Sequence, residues 1–171
     1  MTHKRRILVP LLAVILAGCG GSQTLTGPHT AAGAHAISGA QKELIAKADP
    51  ICAKASAKRA AANASLGTGA SLSSPKTLFA IAQTGPGVAA AEKQAVAKLR
   101  ELKAPASLEH DWQTLLAGLQ TLARATAKLT AYAKENNPQG AKELVAGTQS
   151  TRTQLLAIAT RDGFTNCGRN D

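Results

Sequence analysis

The chain has 171 residues, a net charge of +10 and 44% hydrophobic residues, but only 2% aromatics, namely Phe79, Trp112, Tyr132 and Phe164. That length fits one domain with a real core rather than several. Scarce aromatic and β-branched residues, with abundant Ala, argue against a sheet and for helices.

The N-terminus begins with the cations Lys4, Arg5 and Arg6, then the short apolar run Ile7 to Ala17, interrupted only by Pro10. Small residues Ala17 and Gly18 precede Cys19. A basic start, a short apolar stretch and small residues before a cut mark an export signal. The run is about half the ~20 residues a membrane-spanning helix needs. Leu16-Ala17-Gly18-Cys19 resembles the bacterial lipobox. That resemblance implies that residues 1–18 are a signal peptide, that cleavage falls between Gly18 and Cys19, and that the Cys19 thiol carries diacylglyceryl. The partner at this end is then membrane lipid at the extracytoplasmic face. Two or more acyl chains give stable attachment where one gives marginal binding. The alternative is an ordinary signal-peptidase site near Ala17 or Ala32, with Cys19 discarded.

Residues 19–36, lipidated at Cys19, continue as the polar, Gly-rich stretch GGSQTLTGPHTAAGAHA. Without periodicity it reads as a flexible tether, averaging about 20 to 25 Å end to end. Its His29 and His35 read as solvated rather than as metal ligands.

From residue 37 the pattern becomes helical. Ile37, Leu44, Ile45, Ala48, Ile51, Ala55 and Ala62 share a stripe, with Ser38 as cap and an end near Asn63. Asp49-Pro50 interrupts it, either as the cap and first residue of a new helix or as a kink in one long helix. The unbroken stripe favours the kink. Ala64 to Ser74 is a loop by its Gly and Ser content. Ser74-Pro75 opens a helical stretch to Gln83 or Thr84, which Thr84-Gly85-Pro86-Gly87 is expected to break. A helix resumes over Val88 to Lys103 with Val88, Ala91, Ala95, Leu99 and Leu102 on one face.

After Ala104-Pro105 comes the strongest periodic signal. Leu108, Trp112, Leu115, Leu119, Leu122, Thr126, Leu129 and Ala133 alternate steps of four and three. Asn137-Pro138 caps a last helix, with Ala141, Leu144, Val145, Thr148, Leu155, Ile158 and Ala159 facing inward and Gly163 as its C-cap. The expected fold over residues 37–171 is all-α, an up-down four-helix bundle.

With Cys19 assigned to lipid, Cys52 and Cys167 remain as an even pair in an oxidising compartment and read as a disulfide. It would fasten the tail to the first helix across most of the domain, stabilising by about 4 to 5 kcal/mol in the chain-entropy model.

Catalytic and metal chemistry find little support. Glu109-His110-Asp111 is consecutive, so its side chains diverge on a helix, and Glu109 and Asp111 suit the helix N-terminus. No Glu-x-x-His or Cys-x-x-Cys-His occurs, so neither a metal nor any other cofactor is expected. Ser73-Ser74-Pro75-Lys76 matches the Ser-x-x-Lys of penicillin-binding enzymes without their companion motifs. It reads more simply as a helix start. No nucleophile elbow, phosphate loop or dinucleotide fingerprint is present. The chain reads as a non-enzyme.

Two basic clusters, Lys54, Lys58 and Arg59, and Lys93, Lys98, Arg100 and Lys103, could attract anionic headgroups or wall polymers. With Glu92 and Glu101 interspersed, they read first as solvated surface. Nucleic acid is not an expected partner of an exported protein. Trp112 reads as core.

The run Ala48 to Ala53, the Leu102 to Pro105 join, the Trp early in the next helix and the Cys167-Gly168 end are similar to those of small helical lipoproteins and secreted proteins of actinobacteria. The resemblance covers most of residues 40–168 and implies fold and location, with no catalytic residues. Pro50 and Gly85-Pro86-Gly87 depart from it.

Two functions fit these readings. The first is a membrane-anchored envelope lipoprotein acting through contacts with an envelope protein or an anionic polymer. The second is a small-ligand-binding accessory with a site inside the bundle. A pocket lined by Trp112 with a convergent polar group would favour the second, and a solid core the first.

Overall fold

A computed structural model describes residues 37–168. The expected signal peptide, the cleavage residues Gly18 and Cys19, and the tether with His29 and His35 lie outside these residues. Among the described residues there are five α-helices and no strand: α1 Gly39–Leu66, α2 Pro75–Arg100, α3 Glu109–Lys134, α4 Pro138–Gly147 and α5 Gln149–Asp162. No helix among them is long and apolar enough to cross a membrane.

The start of α1 follows from Ser38, whose Oγ accepts the Gln41 N–H at 3.1 Å, satisfying one orphan donor of the first turn. The helix runs through Pro50 without a break. Leu44, Ala48, Cys52 and Ala55 are buried along one side, as the stripe predicts.

The expected break at Thr84 to Gly87 is absent. α2 is one helix from Pro75 to Arg100, with Pro86 inside it. An interior Pro costs a helix about 3 kcal/mol or more. Burial of Leu78 and Ile81 on one side of it and Val88 and Val96 on the other offsets that cost, because each fully buried aliphatic side chain contributes about 1.5 to 3 kcal/mol. Gly85 permits the contact: a Cβ there would collide with Thr130 Oγ1 on α3. Close approach, rather than a turn, explains this glycine.

α3 carries the strongest stripe into the structure. Leu108, Trp112, Leu115, Leu122 and Ala133 are buried, while Leu119, Thr126 and Leu129 are half-buried. α2 and α3 pack together, as do α1 and α2, and α3 also packs on α4 and α5.

The last helix is two. Asn137 caps α4 as expected, its Oδ1 accepting the Gly140 N–H at 2.9 Å. At Thr148, however, the hydroxyl donates to Val145 O at 2.8 Å and the backbone N–H bonds the same oxygen at 3.2 Å. That local bonding closes α4, and α5 begins at Gln149. Ala141, Thr148, Leu155, Ile158 and Ala159 are buried as expected, but Val145 is exposed and Leu144 only half-buried. Gly163 ends α5 with φ of 82°, the left-handed conformation that glycine adopts freely.

The tail then turns back along α1. Cys52 and Cys167 form a disulfide across a separation of 115 residues, with Cα atoms 5.1 Å apart. Phe164 stacks on Trp112 with ring centroids 5.8 Å apart. The buried side chains form two groups. One contains Leu99, Trp112, Leu115, Leu155, Phe164 and both cysteines. The other contains Leu78, Ile81, Ala133 and Ala141.

Candidate functional site

Where the two core groups meet, at Leu122 and Ile81, an ion pair stands among apolar side chains. Glu92 sits on α2, where the positions Gly85, Val88, Glu92, Val96 and Leu99 are all buried. Its side chain is 5% exposed and faces Arg59 of α1, at 18%. Arg59 Nε and Nη2 both donate to Glu92 Oε1, at 3.0 and 2.7 Å. Glu92 Oε2 has no hydrogen-bond partner among the described residues. A buried carboxylate is stable only when paired. The ion pair therefore explains why a charge can stand in an apolar stripe.

Arg152 of α5 is the third charge of the group and is half-buried. Its Nε reaches Thr148 Oγ1 at 3.4 Å. The terminal nitrogens of its guanidinium have no hydrogen-bond partner among the described residues. Burial lowers its pKa and the Arg59 charge lowers it further, while Glu92 opposes both. The break between α4 and α5 falls four residues before Arg152, at the residue it contacts.

These three side chains line a cleft of about 240 Å³. Leu66, Ile81, Val88 and Leu129 supply apolar wall, and Thr84 and Thr126 add hydroxyls. Both hydroxyls already donate to backbone carbonyls, Thr84 to Ala80 and Thr126 to Leu122. The volume is a little below the usual range of small-molecule pockets, about 300 to 1,000 Å³. It corresponds to about eight water molecules of liquid. An apolar concavity with a few convergent polar groups is the common build of a ligand site.

Trp112 is core, as expected, and no pocket forms around it among the described residues. Trp112 is 2% exposed, packed against Phe164, and is not in the wall of the cleft. The first basic cluster separates: Lys54 and Lys58 are exposed, whereas Arg59 turns inward to Glu92. Glu92, expected among solvated charges, is buried. Its stripe was available as the four- and three-residue steps from Gly85 to Leu99, but the neighbouring Lys93 disguised it.

In the second cluster, Lys93 and Arg100 join Arg124 of α3 along a shallow groove between α2 and α3. There Arg100 Nη2 donates to Gln120 Oε1 at 2.6 Å. Lys98 and Lys103 face elsewhere, lining two further surface hollows.

Glu109, His110 and Asp111 diverge. Glu109 accepts from Gln113 Nε2 at 2.8 Å, Asp111 pairs with Arg161 at 2.5 Å, and His110 is exposed. No group of three or more His, Cys, Asp or Glu among the described residues could hold a metal ion. Ser73 is exposed, and its backbone N–H donates to Ser71 Oγ at 3.2 Å.

Asp49 has a role that neither sequence reading assigned. It is 8% exposed. Its Oδ2 accepts from the Thr165 N–H at 2.9 Å and the Thr165 hydroxyl at 2.5 Å. Its Oδ1 accepts from the Asn166 and Cys167 N–H groups at 3.0 and 3.2 Å. Burial pushes the carboxyl up, but these four donors outweigh it and hold the pKa below the ordinary aspartate value. Asp49 therefore binds the tail rather than capping a helix.

No protein-family profile, no curated protein and no solved structure matches the chain.

Proposed function

We propose that the protein is a lipid-anchored, extracytoplasmic binding protein without catalytic activity, and that it takes a small molecule into the cleft between α1, α2, α3 and α5. The observation that carries the binding reading is the joint burial of Arg59 and Glu92 beside Arg152 in an otherwise apolar cleft. A structural bundle gains little from such a group, since a buried ion pair is often no more stabilising than apolar residues of the same volume. The lipobox-like Leu16 to Cys19 supports the anchor. The tether would carry the domain clear of the headgroups. Short connections between α1, α2 and α3, and the packing of each on the next, support an up-down arrangement, with α4 and α5 together as the fourth helix.

Native mass spectrometry of the full chain in mild detergent tests the binding reading. The expected spectrum shows a stoichiometric small-molecule adduct, which Val88→Trp, filling the cleft, removes. A spectrum with no adduct, together with no response of the Ile81, Val88 and Leu129 methyl resonances to any of a panel of small amphiphiles, would overturn it.

The envelope-contact reading rests on the groove with Lys93, Arg100 and Arg124. It predicts salt-sensitive retention on anionic polymer that charge reversal at Arg124 weakens.

A further inference from the structure

The chemistry of the cleft narrows what it can hold, and this inference rests on the binding reading above. Among the described residues, two guanidiniums and one carboxylate line the cleft. The carboxylate is already paired through one oxygen, because Glu92 Oε1 accepts two Arg59 donors, while its Oε2 accepts none among the described residues. Arg152 is the surplus cation. Its only side-chain hydrogen bond among the described residues is the long contact to Thr148, so the outer edge of its planar guanidinium is open to the cleft. A partly desolvated guanidinium beside apolar wall favours an oxyanion, which it can grip with two parallel N–H donors. Water competes for that edge, but only an amphipathic anion also covers the apolar wall of Leu66, Ile81, Val88 and Leu129.

We propose that the ligand is a small, singly charged amphipathic anion, with a carboxylate as its simplest form. Its acid group pairs with Arg152, and its short apolar body lies against Ile81, Val88 and Leu129. The single charge follows from the one guanidinium edge, that of Arg152, left open to the cleft. The size follows from the cleft volume of about 240 Å³, which suits a compact or medium-chain body better than a long acyl chain. Glu92 holds Arg59 in place and repels a second negative charge on the ligand, so a dianion of the same length is disfavoured.

Calorimetric titration of the full chain tests this with octanoate, 1-octanol, octylammonium and octyl phosphate. Octanoate should bind at least tenfold more tightly than octanol, and octylammonium should bind weakest. Arg152→Gln should erase the difference between octanoate and octanol while leaving the octanol affinity and the helical circular dichroism unchanged. Arg152→Lys should keep part of the preference, since the charge stays and the fork is lost. Should octanol match octanoate in the unaltered chain, or should Arg152→Gln leave the preference intact, the anion assignment falls while the binding reading stands. Tighter binding of octyl phosphate than of octanoate overturns the single charge. If none of the four probes binds, the assignment falls too, and the adduct in native mass spectrometry decides separately whether the cleft is a binding site at all. Arg152→Gln is half-exposed and should fold; if its dichroism is lost, Arg152→Lys and the ranking of the four probes in the unaltered chain still decide.

Discussion

The Asp49 carboxylate accepts the backbone N–H of Cys167, so one turn of α1 holds the tail twice, by charge at Asp49 and by sulfur at Cys52. The two fastenings are three residues apart on α1 and converge on the same end of the chain. They differ in what releases them: acid acts on the first and reductant on the second.

Asp49→Asn should destabilise the protein by about 2 to 4 kcal/mol, since hydrogen bonds to a charged group are each worth about 1.5 to 3 kcal/mol and the new amide turns a donor toward N–H groups. The pH dependence has a definite sign. The folded pKa lies below the unfolded value, which is about 3.9. The carboxylate's contribution is therefore fully present above about pH 4 and is lost as pH falls through the folded pKa. Urea denaturation of both forms should give a constant gap between pH 5 and 7 that narrows below about pH 4. A gap that stays constant into acid overturns the account.

Cys52→Ser with Cys167→Ser should cost about 3 to 5 kcal/mol, in line with a loop of 115 residues. Asp49 should keep the tail in place, so the far-ultraviolet dichroism should be unchanged at low temperature. A non-reducing peptide map of the unaltered chain should link the peptides of Cys52 and Cys167.

Gly85→Ala reverses the usual rule. In an ordinary helix interior it would stabilise by about 0.5 to 1 kcal/mol. Here the new Cβ meets Thr130 Oγ1, so a loss of about 1 to 3 kcal/mol is expected from overpacking. Adding Thr130→Ala should recover much of it. Thermal unfolding of the single and double variants reads both signs.

Glu92→Leu should cost about 3 kcal/mol by removing the carboxylate that accepts two Arg59 N–H donors. The double change with Arg59→Met should cost less than the two single changes together, with a coupling of about 1 to 3 kcal/mol. Additive losses would mean that the ion pair is not a unit.

Cys19→Ser should abolish metabolic labelling with a radioactive fatty acid and leave an unprocessed or released form. Labelling that persists in this variant would sink the lipid anchor.

Much of the helical plan was legible because it is written in spacing. The Leu108 to Ala133 stripe marks α3, and Ser38, Asn137 and Gly163 mark helix ends through local hydrogen bonding that needs no distant partner. The misread places depend on contacts remote in sequence. Gly85-Pro86-Gly87 looks like a turn until Thr130 is known to press on Gly85. Glu92 looks like surface until Arg59, 33 residues away, is seen to face it. The role of Asp49 stays hidden until Thr165 to Cys167 return to it. The two-part core, and with it the cleft, was hidden for the same reason. It arises from side chains on four helices, and Arg152 joins them only after Thr148 divides the last helix.

The fastening of the tail also fixes how the protein would carry load. α1 begins beside the end of α5, where Gln41 Nε2 donates to Asp162 O at 2.9 Å, and the covalent crossing to the tail comes at Cys52. A pull applied between the two ends of the domain would peel the start of α1 and then meet the sulfur bridge. From there tension passes straight from Cys52 to Cys167, and everything between them lies outside the path. A pull at the two ends of the domain would then leave the cleft closed.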